Sequence, residues 1–461
     1  MSAPDRADDA LAVALGAAPP IGAGALLGLE HEFIVRAADG SPLDFRTVIH
    51  ESGLGRRHLD PADPNAYRLP SGAVVTCDET EAEIAIAPVP GEGPFMGTVT
   101  AAAEAARSAL ARHLPRGAQL EGWSTHLSVS LPDDVARACG QRYTTTFAPA
   151  LMLLMDRPRS PGLLIRPRPG RLELCGEYVA GPALQGAVAF VAGSVRALAA
   201  ALGGATSVAV PQLRGRIRLA DTRYGWYVDR RAFGDDLYTV GRAARLPLAS
   251  GGTSSAQAHL ERCWSAARDA LIRSANVHED DLVVTDEIVA GRSPLPSEGP
   301  IAEQQVPSHA PSSAHGRALR VRMRAAFGVA PVMLTWPAAV FLVADHDRPR
   351  RLFAAIPADR LAPFLDALDA GRLDDLLAGS LRQPAGGRRL ERPEQTASPG
   401  LYDELGARLV LLPPEPGVSA PHDRRRSSWL RRVPSRLIEV AQRVRISVVP
   451  AAHPAGGTVD A

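Results

Sequence analysis

The spacing of apolar residues predicts strands and helices that alternate over residues 26–291. Strands place successive side chains on opposite faces, whereas helices repeat their apolar positions every three or four residues. The strand pattern occurs at Leu27–Val35, Ala73–Asp78, Glu79–Ala87, Trp123–Leu131 and Leu172–Val179. The helical pattern, rich in alanine, occurs at Val99–His113, Asp134–Met155 with a break near Pro149, Gln185–Leu202 and Ala256–Ser274.

A Pro- and Ser-rich stretch at residues 293–313 has little periodicity and predicts a linker or a long loop. Beyond it we expect a strand at Met333–Asp345, an amphipathic helix at Leu361–Leu377, a strand at Leu409–Leu412 and a short helix at Ser435–Val444. We therefore divide the chain into a flexible N-terminus (1–25), a first domain (26–291), the linker (292–316) and a C-terminal region (317–461).

Acidic residues share one face of several predicted strands. In the first strand, Glu30 and Glu32 point to the same side, while the residues between them point to the other. Two neighbouring carboxylates repel each other unless solvent, arginines or divalent cations compensate them. Later strands carry further polar residues: Glu81, Glu83, His126 and Glu173. A solvated strand face explains any one of these, but the ordered set favours a site for metal and nucleotide.

Composition narrows the chemistry that such a site could perform. The formal net charge of +1 argues against a general affinity for nucleic acid or for an anionic membrane. The chain contains no lysine, which excludes a Walker-type phosphate loop and a Schiff-base mechanism. Phosphate would have to be bound by arginine, backbone N–H groups and metal. Arg166, Arg168 and Arg171 lie together in one Arg/Pro/Gly-rich stretch.

Cysteine usage and the N-terminal residues favour a cytoplasmic protein. The four cysteines are scattered without a C-x-x-C pair, so reduced thiols fit better than a zinc site or a disulfide framework. The first ten residues lack the basic start and apolar core of a secretory signal. We also find no run of the roughly 18 apolar residues that a transmembrane helix needs, and expect neither a membrane nor a nucleic acid as partner.

Carboxylates on neighbouring strands suit a site for several metal ions. Mg²⁺ prefers hard oxygen ligands in octahedral geometry and usually bridges carboxylates to substrate phosphates. Strands that lie side by side can direct single carboxylates into one trough. Two or three metal ions there would offset the charge of a triphosphate and of the transition state for phosphoryl transfer.

Five segments carry motifs in an order that is typical of one enzyme family. They are residues 28–32 (GLEHE), 78–88 (DETEAEIAIAP), 124–129 (STHLSV), 170–174 (GRLEL, followed by a long Ala/Val helix) and 223–225 (RYG). Together they resemble the carboxylate–amine ligases related to bacterial glutamate–cysteine ligase. A more distant relative, the ligase that attaches a small ubiquitin-like protein tag to lysines, shares the first two motifs.

The resemblance implies an α+β fold like that of glutamine synthetase. A curved, mostly antiparallel sheet would form the active-site trough, with helices on its outer face and a smaller C-terminal α/β region. The implied reaction is ATP-dependent amide formation through an acyl phosphate, from glutamate or another amino acid and an amine. Homo-oligomerisation is left open.

The resemblance also assigns roles to individual residues. It implies that the ligands of Mg²⁺ or Mn²⁺ are Glu30, Glu32, Glu83, His126 and Glu173. It implies catalytic roles for Arg171, Arg168 and His126. It assigns nucleotide binding to Arg166 and Arg223.

Three departures from the family pattern leave other functions open. Cys175 stands where the family usually has an arginine, and Ser128 where it often has a second histidine. The spacing from His126 to Glu173 is also short. The alternative is a catalytically degenerate relative that acts as a binding or scaffold protein through its C-terminal region. A third interpretation is a hydrolase that runs the same chemistry backwards on an amide.

Overall fold

The computed structural model describes residues 25–51, 54, 66–69, 71–205, 209–221, 225–298, 318, 321–334, 338–348, 350–357, 360–382 and 408–411. The chain divides into two units. One comprises Gly22–Arg56 and Ala73–Pro311, and the other comprises Met1–Ile21, Arg57–Gly72 and Ser312–Ala461. The domain boundaries drawn from the sequence stay a prediction. The helix predicted at Ser435–Val444 lies outside the described residues.

Antiparallel strands form the framework of the first unit. In chain order, the strands up to residue 229 are β1 (Leu26–Arg36), β2 (Pro42–Leu43), β3 (Tyr67–Arg68), β4 (Val74–Asp78), β5 (Glu81–Ala85), β6 (Val89–Pro90), β7 (Gln119–Ser130), β8 (Gly162–Arg168), β9 (Arg171–Glu177), β10 (Arg218–Asp221) and β11 (Gly225–Asp229). Of these, β3 belongs to the second unit. The main sheet has the order β10-β11-β8-β9-β7-β1-β5-β4, and β2 and β6 also pair with β1. A separate hairpin pairs β12 (Arg245–Pro247) with β13 (Thr253–Ser255).

The helices of this unit are α1 (Phe45–Glu51), α2 (Phe95–Ala111), α3 (Asp133–Thr145), α4 (Ala148–Met155), α5 (Gly181–Leu202), α6 (Leu237–Val240), α7 (Ala256–Ser274) and α8 (Val283–Val289), with 3₁₀ turns at Gly241–Ala243 and Glu279–Leu282. The predicted break near Pro149 is confirmed, because α3 ends at Thr145 and α4 begins at Ala148. Pro149 falls in the first turn of α4, where a missing N–H is tolerated.

One face of the main sheet is apolar and carries the helices. Leu27, Leu29 and Phe33 of β1 are buried on this face. The long helix α5 packs against α2, α3, α4, α7 and α8. Gly193 allows α5 to approach α7 closely, since a Cβ there would lie 2.4 Å from the carbonyl oxygen of Ala267. The predicted α+β class, with a large antiparallel sheet and helices, is therefore confirmed.

Helix α5 also corrects one expectation about membrane spans. By length and composition alone, Gly181–Leu202 could cross a membrane, although no such run was expected from the sequence. Within this helix, 72% of the most apolar 18-residue stretch is buried inside the protein. The core helix of a soluble protein can have the same length and apolar composition.

The second unit contains an antiparallel sheet in the order β14 (Arg322–Met323), β15 (Phe327–Leu334), β16 (Ala338–Asp345), β17 (Arg351–Pro357) and β18 (Arg408–Leu411), with helices α9 (Leu361–Asp369) and α10 (Asp374–Arg382). The residues Phe341, Leu352 and Phe364 belong to one buried cluster that joins this sheet to the helices. Consecutive antiparallel strands followed by helices make this unit α+β, which corrects the predicted α/β region.

Two elements of the second unit were predicted wrongly. The single strand expected at Met333–Asp345 is divided between β15 and β16, which pair with each other. The single helix expected at Leu361–Leu377 is interrupted at Gly371, whose φ of 74° lies in the left-handed region that ends helices. At Gly371 a local turn interrupts a continuous amphipathic pattern.

Candidate active site

The face of the main sheet opposite the helices carries polar side chains from neighbouring strands. In the register of β1, Glu32 lies opposite Glu83 of β5 on one side and Ser124 of β7 on the other. Glu30 lies opposite His126. Residues that face each other in antiparallel strands point to the same side of the sheet. The pairing therefore gathers carboxylates and an imidazole from three strands on one surface.

The same surface continues across β9 and β8. Ser128 of β7 lies opposite Glu173 of β9, and Glu173 lies opposite Arg166 of β8. At the end of the β8–β9 hairpin, Arg168 faces Arg171. The hairpin thus adds one carboxylate and three arginines to the polar face. We call this face, with its residues on β4, β5, β1, β7, β9 and β8, the trough.

Glu30, His126 and Glu173 form a first group of possible metal ligands. Their ligand atoms all lie within 4.8 Å of one another. His126 Nδ1 is 3.3 Å from Glu30 Oε2, and its Nε2 is 3.6 Å from Glu32 Oε1. The Ser124 hydroxyl donates a hydrogen bond of 2.6 Å to Glu32. These contacts hold the imidazole between the two carboxylates of β1.

Glu32, Asp78 and Glu83 form a second group, again with ligand atoms within 4.8 Å of one another. Asp78 ends β4, and the β4–β5 hairpin turns through Glu79, a non-glycine residue with a φ of 50°. Asp78 was not among the ligands named from the sequence. Its place in the sequence could have indicated this role, because Asp78 lies at the turn between two acidic strands. The tight hairpin there brings Asp78 beside β5.

Glu173 lies among the three arginines of the hairpin. Its Oε2 is 2.5 Å from Arg166 Nε and 3.3 Å from Arg168 Nε, and its Oε1 is 3.8 Å from Arg171 Nη2. The side chain is fully buried, and its Oε1 has no hydrogen-bond partner among the described residues. Three guanidinium groups around one carboxylate leave an excess of positive charge at this end of the trough.

Burial and mutual repulsion shift the ionisation of the carboxyl groups. Burial raises the pKa of Glu83 to about 8, and the nearby charge of Glu30 adds to this rise. Burial also raises the pKa of Glu32. Burial would raise the pKa of Glu30 too, but the hydrogen bond and the charge of His126 outweigh it, and the pKa is lowered. The pKa of His126 is raised, because the two glutamates outweigh its desolvation.

These donor sets fit divalent cations. Glu32, Asp78 and Glu83 offer carboxylate oxygens only, which suits Mg²⁺ or Mn²⁺. Glu30, His126 and Glu173 combine carboxylates with an imidazole, a ligand suited to transition metals. The buried Oε1 of Glu173 supplies an acceptor without a hydrogen-bond donor among the described residues. Burial is the main cause of the raised pKa of Glu83, and a cation would relieve the repulsion from Glu30 that adds to it.

The structure brings together most of the residues singled out in the sequence. Glu30, Glu32, Glu83, His126 and Glu173 all lie in the trough, with the three hairpin arginines beside Glu173. Arg223 lies outside the described residues. Their metal, nucleotide and catalytic roles stay predictions.

The unusual Cys175 also lies on the trough face, opposite His126. It is buried, its Sγ is 3.8 Å from Glu173 Oε2, and burial raises its pKa well above the ordinary value. The thiol is therefore uncharged and buried on the trough face of β9. The guanidinium that contacts Glu173 most closely comes instead from Arg166 on the neighbouring strand.

Neither the profile of a known protein family nor a curated protein sequence matches the chain. Among solved structures, the chain is similar to the complex between the prokaryotic ubiquitin-like protein Pup and its ligase PafA. The sequence identity is 13% and the TM-score 0.36, over 59% of this chain and 64% of that chain. It is also similar to the Pup ligase PafA in complex with ADP, at 12% identity and a TM-score of 0.32, over 49% of this chain and 61% of that chain.

The matched region thus spans less than two thirds of the length of these two structures. Neither likeness is strong enough to establish a shared activity. The function proposed below therefore rests on the side chains of the trough.

Proposed function

We propose that this chain is an ATP-dependent carboxylate–amine ligase with a glutamine-synthetase-like trough. It would form an amide through an acyl phosphate, from glutamate or another amino acid and an amine. One observation carries the proposal: two groups of metal-ligating side chains and three arginines lie on a single face of one antiparallel sheet. Phosphoryl transfer needs charge compensation of this kind more than it needs a protein nucleophile.

The metal-ligand groups and the arginines of the trough would have different functions. The groups Glu30–His126–Glu173 and Glu32–Asp78–Glu83 would hold Mg²⁺ or Mn²⁺, which supplies charge compensation for the phosphates when bound. Arg168 and Arg171, at the end of the hairpin, would bind the transferred phosphoryl group or the substrate carboxylate. Arg166 is closest to Glu173 and would fix that carboxylate in place.

The reaction divides into two displacements. An oxygen of the substrate carboxylate attacks the γ-phosphorus of ATP, and ADP leaves with the electrons of the broken P–O bond. The amine nitrogen then attacks the acyl carbon, inorganic phosphate leaves, and the nitrogen loses a proton. The arginines and His126 act by binding and orienting these groups, because positioning and electrostatic stabilisation account for most of such catalysis.

The alternative, a degenerate binding or scaffold protein, has one specific observation in its favour. Glu173 is already neutralised by the hairpin arginines and is fully buried, as a purely structural ion pair would be. In that case the first group would lose one of its three ligands. Metal-dependent turnover distinguishes the two functions: the ligase would show it and would lose it in Glu173→Gln, whereas a scaffold would show none even in the intact protein.

The experiment is phosphate release from Mg-ATP in the presence of a panel of amino acids and amines. The ligase should release phosphate only when a suitable carboxylate is present, and hydroxylamine should trap the acyl phosphate as a hydroxamate. Glu30→Gln combined with Glu32→Gln should abolish both signals. Glu104→Gln, on helix α2 and outside both groups, serves as the matched control. Absence of carboxylate-dependent turnover across the panel would contradict the proposal.

A further inference from the structure

Ser128 of β7 occupies a position in the sheet that the three members of the first metal-ligand group surround. It lies directly opposite Glu173 of β9 on one side and opposite Gly28 of β1 on the other. His126 is two residues away on the same strand, and Glu30 is two residues beyond Gly28 on β1. In a sheet, such neighbours on one face have Cβ atoms within about 8 Å of each other.

The register also shows to which side Ser128 points. The pairing of β7 with β9 has no register shift, and the shift between β7 and β1 lies between Glu32 and Phe33, away from Ser128. His126 points into the trough, because its imidazole contacts Glu30. Ser128 is two residues farther along the same regular stretch, so it points into the trough as well.

The hydroxyl group of Ser128 is buried without a hydrogen-bond partner. The residue is 4% exposed, and its Oγ makes no hydrogen bond among the described residues. Glu173, directly opposite, presents a second such atom: its Oε2 contacts Arg166, whereas its Oε1 accepts no hydrogen bond in the described part of the chain. A buried polar group without a partner costs about as much free energy as a lost hydrogen bond. Two such oxygen atoms on facing residues indicate a site for a group that binds oxygen.

A divalent cation would satisfy both oxygen atoms. Hard cations prefer oxygen ligands, and serine and threonine hydroxyl groups coordinate Mg²⁺ in phosphate-binding loops. The Ser128 side chain is uncharged, so it adds a ligand without adding to the repulsion between Glu30 and Glu173. The competing explanation is a purely structural hydrogen bond from Ser128 to Glu173. The two explanations differ in how removal of the hydroxyl group affects the metal-free protein.

We propose that the Ser128 hydroxyl group is a further ligand of the cation bound by the first group, and that it raises the preference of this site for Mg²⁺ and Mn²⁺ relative to Zn²⁺. This inference rests on the proposed function, since it assumes that the first group binds a cation. With Ser128, the group offers three oxygen-bearing side chains and one imidazole. Oxygen-rich sites suit Mg²⁺ and Mn²⁺, whereas Zn²⁺ favours nitrogen and sulfur ligands.

The test is calorimetric titration of the intact protein and its variants with Mg²⁺, Mn²⁺ and Zn²⁺. Ser128→Ala should weaken Mg²⁺ and Mn²⁺ binding in one of two steps by about 10- to 100-fold, as is typical of residues that support a metal site. Asp78→Asn, in the second group, should weaken the other step. Ser128→Cys supplies a softer sulfur ligand and should weaken Mg²⁺ binding while it strengthens Zn²⁺ binding. Ser108→Ala, on helix α2, is the control and should bind all three cations as the intact protein does.

Urea denaturation of the metal-free protein separates the ligand role from a structural one. Removal of an unpaired buried hydroxyl group should leave the free energy of unfolding of Ser128→Ala unchanged or raise it, whereas loss of a hydrogen bond to Glu173 would lower it. A lowered value would therefore overturn the inference, as would unchanged Mg²⁺ affinity in Ser128→Ala or an unchanged ratio of Zn²⁺ to Mg²⁺ affinity in Ser128→Cys. If the intact protein bound no divalent cation, the proposed function itself would fail, so the two failures are distinguishable.

Discussion

The binding of a divalent cation to the trough should release protons at neutral pH. Glu83 is the residue concerned, since burial and the charge of Glu30 raise its pKa to about 8. A carboxyl group must lose its proton to coordinate a metal ion. Cation binding to the group Glu32–Asp78–Glu83 is therefore coupled to ionisation of Glu83.

The size of the effect follows from this pKa. At pH 7 a group with a pKa of about 8 is about 90% protonated, so Glu83 should release about 0.9 proton per bound cation. At pH 9 the release should fall to about 0.1 proton. Below pH 8 the affinity for the cation should rise by up to about tenfold per pH unit.

The assay is calorimetric titration with Mg²⁺ or Mn²⁺ in buffers of different ionisation enthalpy, between pH 6 and pH 9. The pKa values of Glu32 and His126 are also raised, so both residues bind protons as well. The contribution of Glu83 is the part that disappears in Glu83→Gln. Glu104→Gln, on helix α2, should release as many protons as the intact protein. Proton release that is the same in Glu83→Gln and the intact protein, or affinity that does not change between pH 6 and pH 8, would refute the reasoning.

Two further predictions concern the framework around the trough. Gly193→Ala should lower the free energy of unfolding by about 1–3 kcal/mol, because its methyl group would press on the backbone of Ala267. The control Gly97→Ala, on the open surface of α2, should leave the free energy of unfolding unchanged or raise it by up to about 1 kcal/mol. Urea denaturation measures both, and equal effects would contradict the close packing of α5 and α7. Burial raises the pKa of Asp156 from 3.8 to about 7. Its protonated form therefore stabilises the fold below about pH 4, and this stabilisation is lost as the pH rises through about 7. Asp156→Asn should therefore reduce the pH dependence of unfolding between pH 4 and pH 7 by up to about 1.4 kcal/mol per pH unit, and an unchanged slope would show that Asp156 ionises normally.

Local patterns were sufficient to predict which residues share the trough face. Alternation along β1 predicted that Glu30 and Glu32 point to one side of the sheet. The polar residues opposite them, Glu83 in β5 and His126 in β7, point to the same side. A proline was sufficient to place the break between α3 and α4. These features depend on neighbouring residues only, which is why the sequence predicts them.

Pairing between distant strands could not be predicted in the same way. The contact of Arg166 with Glu173 depends on the register of the β8–β9 hairpin, and the inclusion of Asp78 depends on a turn through Glu79. The pairing of β1 with β7 also shifts by one residue between Glu32 and Phe33, and alternation along a single strand does not predict such a shift. A turn at Gly371 also divides the helix that was predicted as continuous in the second unit.

Metal-dependent nucleotide binding tests the central claim most directly. Calorimetry with ATP, with and without Mg²⁺, should be performed on the intact protein, on Glu30→Gln combined with Glu32→Gln, and on the Glu104→Gln control. The proposal predicts binding that requires Mg²⁺, is lost in the double variant and persists in the control. Failure of the intact protein to bind ATP in the presence of Mg²⁺ would contradict it.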